Sequence, residues 1–168
     1  MSIIGNGDIA TALCEHDKLD FIYFASGVSD SQCTDETQFS RELALLSLQS
    51  KRKKIIYFST LSMFYYSDNY QAHKKEMERQ IKRFPRYCII RLGNITFGKN
   101  PNTLINNLKL KIKSGERYTI KDEFRYLCSQ QEFDHWINLI PNFNCEMNIT
   151  GERVKVKEIV ERIKNGTL

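Results

Sequence analysis

Four side chains between residues 59 and 74 carry the clearest chemistry in this sequence. Ser59 and Thr60 close an apolar run, and Tyr70 and Lys74 follow in a segment of helical character. A spacing of four puts Tyr70 and Lys74 on one helical face, one turn apart. An ammonium there favours phenolate and lowers a tyrosine from its ordinary value of about 10. A hydroxyl at the strand end would orient a carbonyl or an alcohol while the tyrosine moves the proton. The spacing suits plain packing equally well, with Tyr70, Met77 and Ile81 on a buried stripe and Lys74 at its margin.

The elements that must position these groups alternate along the chain. "SII", "FIYFA" (21–25), "IIYFS" (55–59) and "YCIIRL" (87–92) are continuous apolar runs of strand length. Helical segments lie between them: "DIATALCEH", residues 34–49 with Thr34 as candidate cap, and residues 68–83 opened by Asp68. Apolar strands separated by helices predict a parallel sheet covered on both faces. Beyond Gly98 the pattern changes. An amphipathic helix over 102–114 stops at Gly115, and short strands are expected at 118–120 and 125–128. Ser129 caps a further helix, "CEMNI" is a last strand, and residues 155–164 form a last helix ended by Gly166. The chain reads as one domain, with a core over 1–98 and a smaller α+β appendage over 99–168 that packs on the carboxyl edge of the sheet.

Directly after the first strand comes Gly5-Asn6-Gly7-Asp8-Ile9-Ala10. Gly5 permits a tight turn, Gly7 lets a diphosphate approach the backbone, and Ala10 lets the helix pack on the strand. A purely structural turn also needs such glycines. The acidic residue that holds an adenosine ribose is expected about 20 residues further on. Glu15, Asp17 and Asp20 are acidic, but none stands at the carboxyl end of a strand.

With 168 residues, 41% apolar and 27% charged, the chain has an ordinary globular composition. No apolar run reaches the roughly 20 residues of a membrane span, and the first residues lack the features of a secretory signal. The net charge of +5 is modest, with Lys51–Lys54 as its densest run, and no basic stripe interleaved with aromatics points to a nucleic-acid partner. Five scattered cysteines form no Cys-x-x-Cys pair and share no metal-ligand spacing with the histidines, so no metal site is expected. Free thiols in a reducing, cytoplasmic setting follow.

In order, "IIGNGDIA", "FIYFASG", "IIYFST", "YQAHK" and "CIIRLGNITFG" resemble the landmarks of the short-chain dehydrogenase/reductase family. The closer likeness is to its extended and atypical branches, the nucleotide-sugar epimerases and dehydratases. "GERYTIKDEFRYLCSQQEFDHWINLI" and "EMNITGERVKVKEIVERI" are similar to that family's closing segments. The resemblance implies a truncated Rossmann-like, doubly wound parallel sheet without the usual second and third strands. It implies Tyr70 as general acid/base, Lys74 as the group that lowers its pKa and holds the nicotinamide ribose, and Thr60 as the orienting hydroxyl, with Ser59 as second choice. Gly5, Asn6, Gly7, Asp8, Ile9, Ala25, Ser26, Gly27, Ser59, Gly93, Asn94 and Ile95 would then line NAD or NADP. The residues that choose between these cofactors belong to the missing strands. The implied activity is oxidoreduction at a carbonyl or alcohol of a small molecule, with nucleotide sugars as the family's substrate class. Two other readings stay open: a non-catalytic nucleotide- or ligand-binding module, and an assembly subunit. A sheet cut short at its first strand leaves an edge that proteins usually cover, so a homo-oligomer is expected under each.

Overall fold

A computed structural model describes residues 2–16 and 18–168. Asp17, weighed above as a ribose ligand, lies outside them. Five strands form a parallel sheet: β1 (Ile3–Ile4), β2 (Phe21–Phe24), β3 (Lys54–Thr60), β4 (Tyr87–Leu92) and β7 (Cys145–Ile149), side by side in that order. The helices between them are α1 (Asp8–Ala12), α2 (Glu36–Ser47) and α3 (Asn69–Ile81). After β4 come β5 (Asn94–Ile95), α4 (Leu104–Ser114), β6 (Phe124–Cys128) and α5 (Gln130–Asn138), and after β7 come β8 (Glu152–Lys155) and α6 (Val156–Lys164). β5, β6 and β8 make a second, three-stranded sheet.

Side-chain alternation divides the core in two. Phe21, Tyr23, Ile56, Phe58, Cys88 and Ile90 pack beneath α5 and the Leu13–His16 turn that follows α1. Ile22, Phe24, Ile55, Tyr57 and Ile89 pack beneath α2 and α3, against Leu46, Met77 and Ile81. The β1–α1–β2 link therefore crosses one face and the next two links cross the other, although all three step the same way across the sheet. Their hands must be opposite. Crossovers are right-handed in about 98% of cases, so the first link is the exception if α2 and α3 obey the rule. In the doubly wound order the chain leaves its first strand in the other direction, toward two further strands. With those strands missing, α1 keeps its face while the chain steps straight to β2.

Several boundaries depart from expectation. Asp35 caps α2 in place of Thr34, accepting a hydrogen bond from the Thr37 amide. Residues 118–120 form no strand, and the expected last helix opens one residue later, because Lys155 ends β8, whose pairing with β6 was not anticipated. "CEMNI" is β7, and it joins the main sheet beside β4 with Cys88 opposite Cys145. One strand from beyond residue 98 thus completes the core sheet. Among the described residues no helix is long and apolar enough to cross a membrane, and no cluster of histidine, cysteine and acidic side chains could hold a metal.

Candidate functional site

The carboxyl ends of β1, β2, β3 and β4 bring the expected loops into one row. Gly5 has φ 129°, and a Cβ there would drive into the Ala25 carbonyl, so the first turn lies directly against the end of β2. Ala25 seals this contact by donating its amide to the Ile4 carbonyl at 2.8 Å. Gly7, the N-cap of α1, is extended at φ −81°, and nothing lies within 4 Å of the Cβ it lacks. Asn6 is exposed beside it, while Ile9 packs onto the core. Asp8 is committed elsewhere: its carboxylate accepts the amides of Lys99 and Asn100, both at 2.9 Å. It therefore ties the first turn to the loop after β5.

Lys74 is 2% exposed, and its ammonium donates to Glu42 Oε1 at 3.2 Å and to the Tyr57 hydroxyl at 3.1 Å. Glu42, fully buried on α2, is a hub. It also accepts from the Tyr57 hydroxyl and the Val28 amide, and it meets His73 Nε2, each at 2.9 Å. Burial alone would raise its carboxyl. The Lys74 charge and the bonds from His73 and Val28 outweigh that and bring it down to about 2. The Lys74 and Glu42 head groups lie beneath Gly27, where a Cβ would stand 2.7 Å from Lys74 Nζ. Ser26 turns its carbonyl to Arg41.

Tyr70 lies one turn from Lys74, as the spacing requires, with the ammonium 5.6 Å from its ring centroid. Its ring is buried among Val28, Cys33 and Phe39. The expected lowering of its pKa does not occur. Burial, then the negative charges of Glu42 and Asp30, push the phenol well above its ordinary value.

The two strand-end hydroxyls differ. Alternation sends Tyr57 and Ser59 to the α2/α3 face and Thr60 to the opposite one. Thr60 Oγ1 accepts the Ser62 amide and donates to Ser62 Oγ at 3.0 Å. Ser59 Oγ is buried and has no hydrogen-bond partner among the described residues. Two strand residues beyond Tyr57 is about 7 Å toward the carboxyl edge, and one helical turn back from Lys74 is about 6 Å in the same direction. Since Tyr57 touches Lys74, Ser59 comes level with Tyr70. The Tyr70 hydroxyl likewise makes no hydrogen bond to another described residue.

Gly93, Asn94 and Ile95 serve the junction between the sheets. A Cβ on Gly93 would stand 2.7 Å from the Tyr126 carbonyl, Asn94 donates its side-chain amide to that carbonyl, and Asn94 and Ile95 form β5. Arg91 pairs with Glu78 and Glu146, and Arg125 with Glu123 and Tyr66, so neither is a free phosphate ligand. Sequence reasoning missed Glu42, Tyr57 and His73. The signal for Glu42 was present: it shares the buried stripe of α2 with Phe39 and Leu46.

No family model and no curated protein matches the chain. Solved structures do. An enzyme of Bordetella bronchiseptica, WbmG in complex with NAD and UDP, is similar with a TM-score of 0.68 and 14% identity, over 88% of this chain and 56% of that one. The same organism's WbmH in complex with NAD+ gives 0.69 and 11%, over 89% and 59%. A dTDP-glucose 4,6-dehydratase from Bacillus anthracis in complex with NAD gives 0.66 and 14%, over 94% and 60%. The chain thus spans little more than half the length of these structures. The chain shares the fold of these solved structures, as a truncated Rossmann-like parallel sheet.

Proposed function

We propose that this protein is a shortened NAD(P)-dependent oxidoreductase of the epimerase/dehydratase type, acting on a carbonyl or alcohol of a nucleotide-linked sugar. The observation that carries the reading is the buried, unpartnered Ser59 hydroxyl, level with Tyr70 at the carboxyl edge of a sheet whose structural neighbours were solved with NAD. A buried hydroxyl is nearly always bonded in folded proteins, so a ligand is the natural partner of Ser59.

The residues fit a nicotinamide dinucleotide at three places. The open, extended turn at Gly7 suits a diphosphate, Ala25–Gly27 suits close passage of a ribose, and the orphaned Ser59 hydroxyl suits a polar group at the reacting end. Lys74 departs from the implied pattern, because Glu42 and Tyr57 already take its ammonium. When bound, the cofactor supplies or accepts the hydride. In this reading Ser59 orients the substrate oxygen and Tyr70 Oη holds the proton. With its pKa raised, Tyr70 is protonated across the neutral range and works first as the acid. Lys74 supports Tyr70 from behind. The free edge of β1 makes self-association part of the same reading.

Incubation with NAD+ or NADPH and a panel of nucleotide-linked hexoses, read by nicotinamide absorbance and product NMR, tests the proposal. Tyr70→Phe should lower turnover by about 100-fold or more and leave dinucleotide affinity within about threefold. Undiminished turnover in that variant contradicts the assignment. A second reading, a non-catalytic nucleotide-binding module, is favoured by the commitment of the Lys74 ammonium to Glu42 and Tyr57. It predicts dinucleotide binding with no turnover on any member of the panel.

A further inference from the structure

Away from the carboxyl edge, two thiols meet across the last pair of parallel strands. Cys88 on β4 stands directly opposite Cys145 on β7, and their sulfurs are 3.3 Å apart, with Cys145 donating to Cys88. Register neighbours in a sheet have Cα atoms about 4.8 Å apart, inside the 4.4–6.8 Å span of disulfides. Closure requires the sulfurs to approach to about 2.05 Å. β7 has a neighbour on one side only, so it can take up that movement. Cys88 is completely buried, whereas Cys145 is half-buried. The Lys54 ammonium, anchored on the Pro141 and Phe143 carbonyls, is close enough to interact with both thiols. Beside it, at the amino edge of the sheet, is a cavity of about 410 Å³ lined by Phe21, Arg86, Ile140 and Asn142.

We propose that Cys88 and Cys145 are an oxidisable dithiol, which a peroxide converts to a disulfide that clamps β7 onto β4. The Cys145 thiolate attacks one oxygen of hydrogen peroxide, breaking the O–O bond and releasing water after protonation, and becomes a sulfenic acid. The Cys88 sulfur then attacks that sulfenic sulfur and expels a second water, with its thiol proton leaving on the hydroxide. Two thiols lose two electrons, and the peroxide gains them. Burial, then the bond and charge of Cys145, push the Cys88 thiol well above its ordinary range, so the more accessible Cys145 reacts first. The crosslink joins residues 57 apart in sequence and restrains the segment that carries α4, β6 and α5.

The test is peptide mass spectrometry of the full chain, treated with hydrogen peroxide and blocked with an alkylating agent, alongside melting curves. The expected result is a Cys88–Cys145 crosslink within one chain, reversed by dithiothreitol, with the melting temperature raised by roughly 5–15 °C. Cys145→Ser should abolish the crosslink and leave Cys88 as a thiol under the same treatment. Recovery of Cys145 as a sulfinic acid, or in a disulfide between chains, overturns the proposal. So does recovery of both thiols intact while the exposed Cys14 is oxidised. Neither outcome depends on whether the protein binds a dinucleotide.

Discussion

Glu42 gathers bonds from a loop amide, a strand tyrosine and two helix side chains, so a single carboxylate joins α2, β3 and α3. Its group lies near 4.5 when unfolded and at about 2 when folded. A depressed carboxyl contributes stability that is present above 4.5 and lost as pH falls from 4.5 through 2. The contribution is on the order of 3 kcal/mol. Urea unfolding across that window should show the loss in the wild type, and Glu42→Gln should remove it. Glu42→Gln also leaves the Lys74 ammonium buried without a counter-charge, at a cost of about 3–5 kcal/mol at neutral pH. Adding Lys74→Met should recover part of this. A urea midpoint unchanged in Glu42→Gln would contradict the hub. At the same scale, Tyr70 is held protonated by burial and two nearby carboxylates, so turnover should keep its acid form past the ordinary tyrosine value of about 10. An alkaline limb near pH 7 that vanishes in Tyr70→Phe would contradict this. The Tyr70/Lys74 face was legible in the sequence because helical spacing is local. The reversal of its expected pKa was not, because it depends on burial first and then on Glu42 and Asp30, which the fold brings together from distant parts of the chain.

At the scale of elements, the first turn separates two glycines with different duties. Gly5 adopts a left-handed φ against the Ala25 carbonyl, so Gly5→Ala should destabilise the fold by roughly 1–3 kcal/mol. Gly7 has an extended φ and open space, so Gly7→Ala should fold as the wild type does. Its methyl would stand where a diphosphate approaches, and dinucleotide affinity should fall by about tenfold or more. Paired melting and titration experiments check both. Equal affinities for Gly7→Ala and wild type would remove the turn from the site. The apolar strands and the helices between them were readable from period alone. β8 was not, because Glu152–Lys155 shows only one buried side chain and owes its strand to β6. The strand expected at 118–120 pairs with no strand among the described residues. The choice between Ser59 and Thr60 turned on alternation within β3, which fixes their faces only once the sheet is known.

At the scale of the molecule, the sheet runs β1-β2-β3-β4-β7 and stops where the doubly wound order would continue past β1. The fold was legible because the order of landmarks survives this loss. The strand at β7 was legible too, but its place beside β4 was not, since a five-residue strand of mixed burial looks the same in either sheet. What remains along the carboxyl edge is the open turn at Gly7, the small-residue passage at 25–27, the unpartnered Ser59 hydroxyl and Tyr70, where the proposal puts the dinucleotide. Without the strands that usually hold the adenosine ribose, affinity should be lower by about ten- to a hundredfold than a complete site would give. Calorimetric titration of the purified protein with NADH and with NADPH tests this account most directly. It predicts one-site binding of at least one of them, with a dissociation constant between about 10 µM and 1 mM, weakened in Gly7→Ala. No heat from either at several millimolar would contradict it.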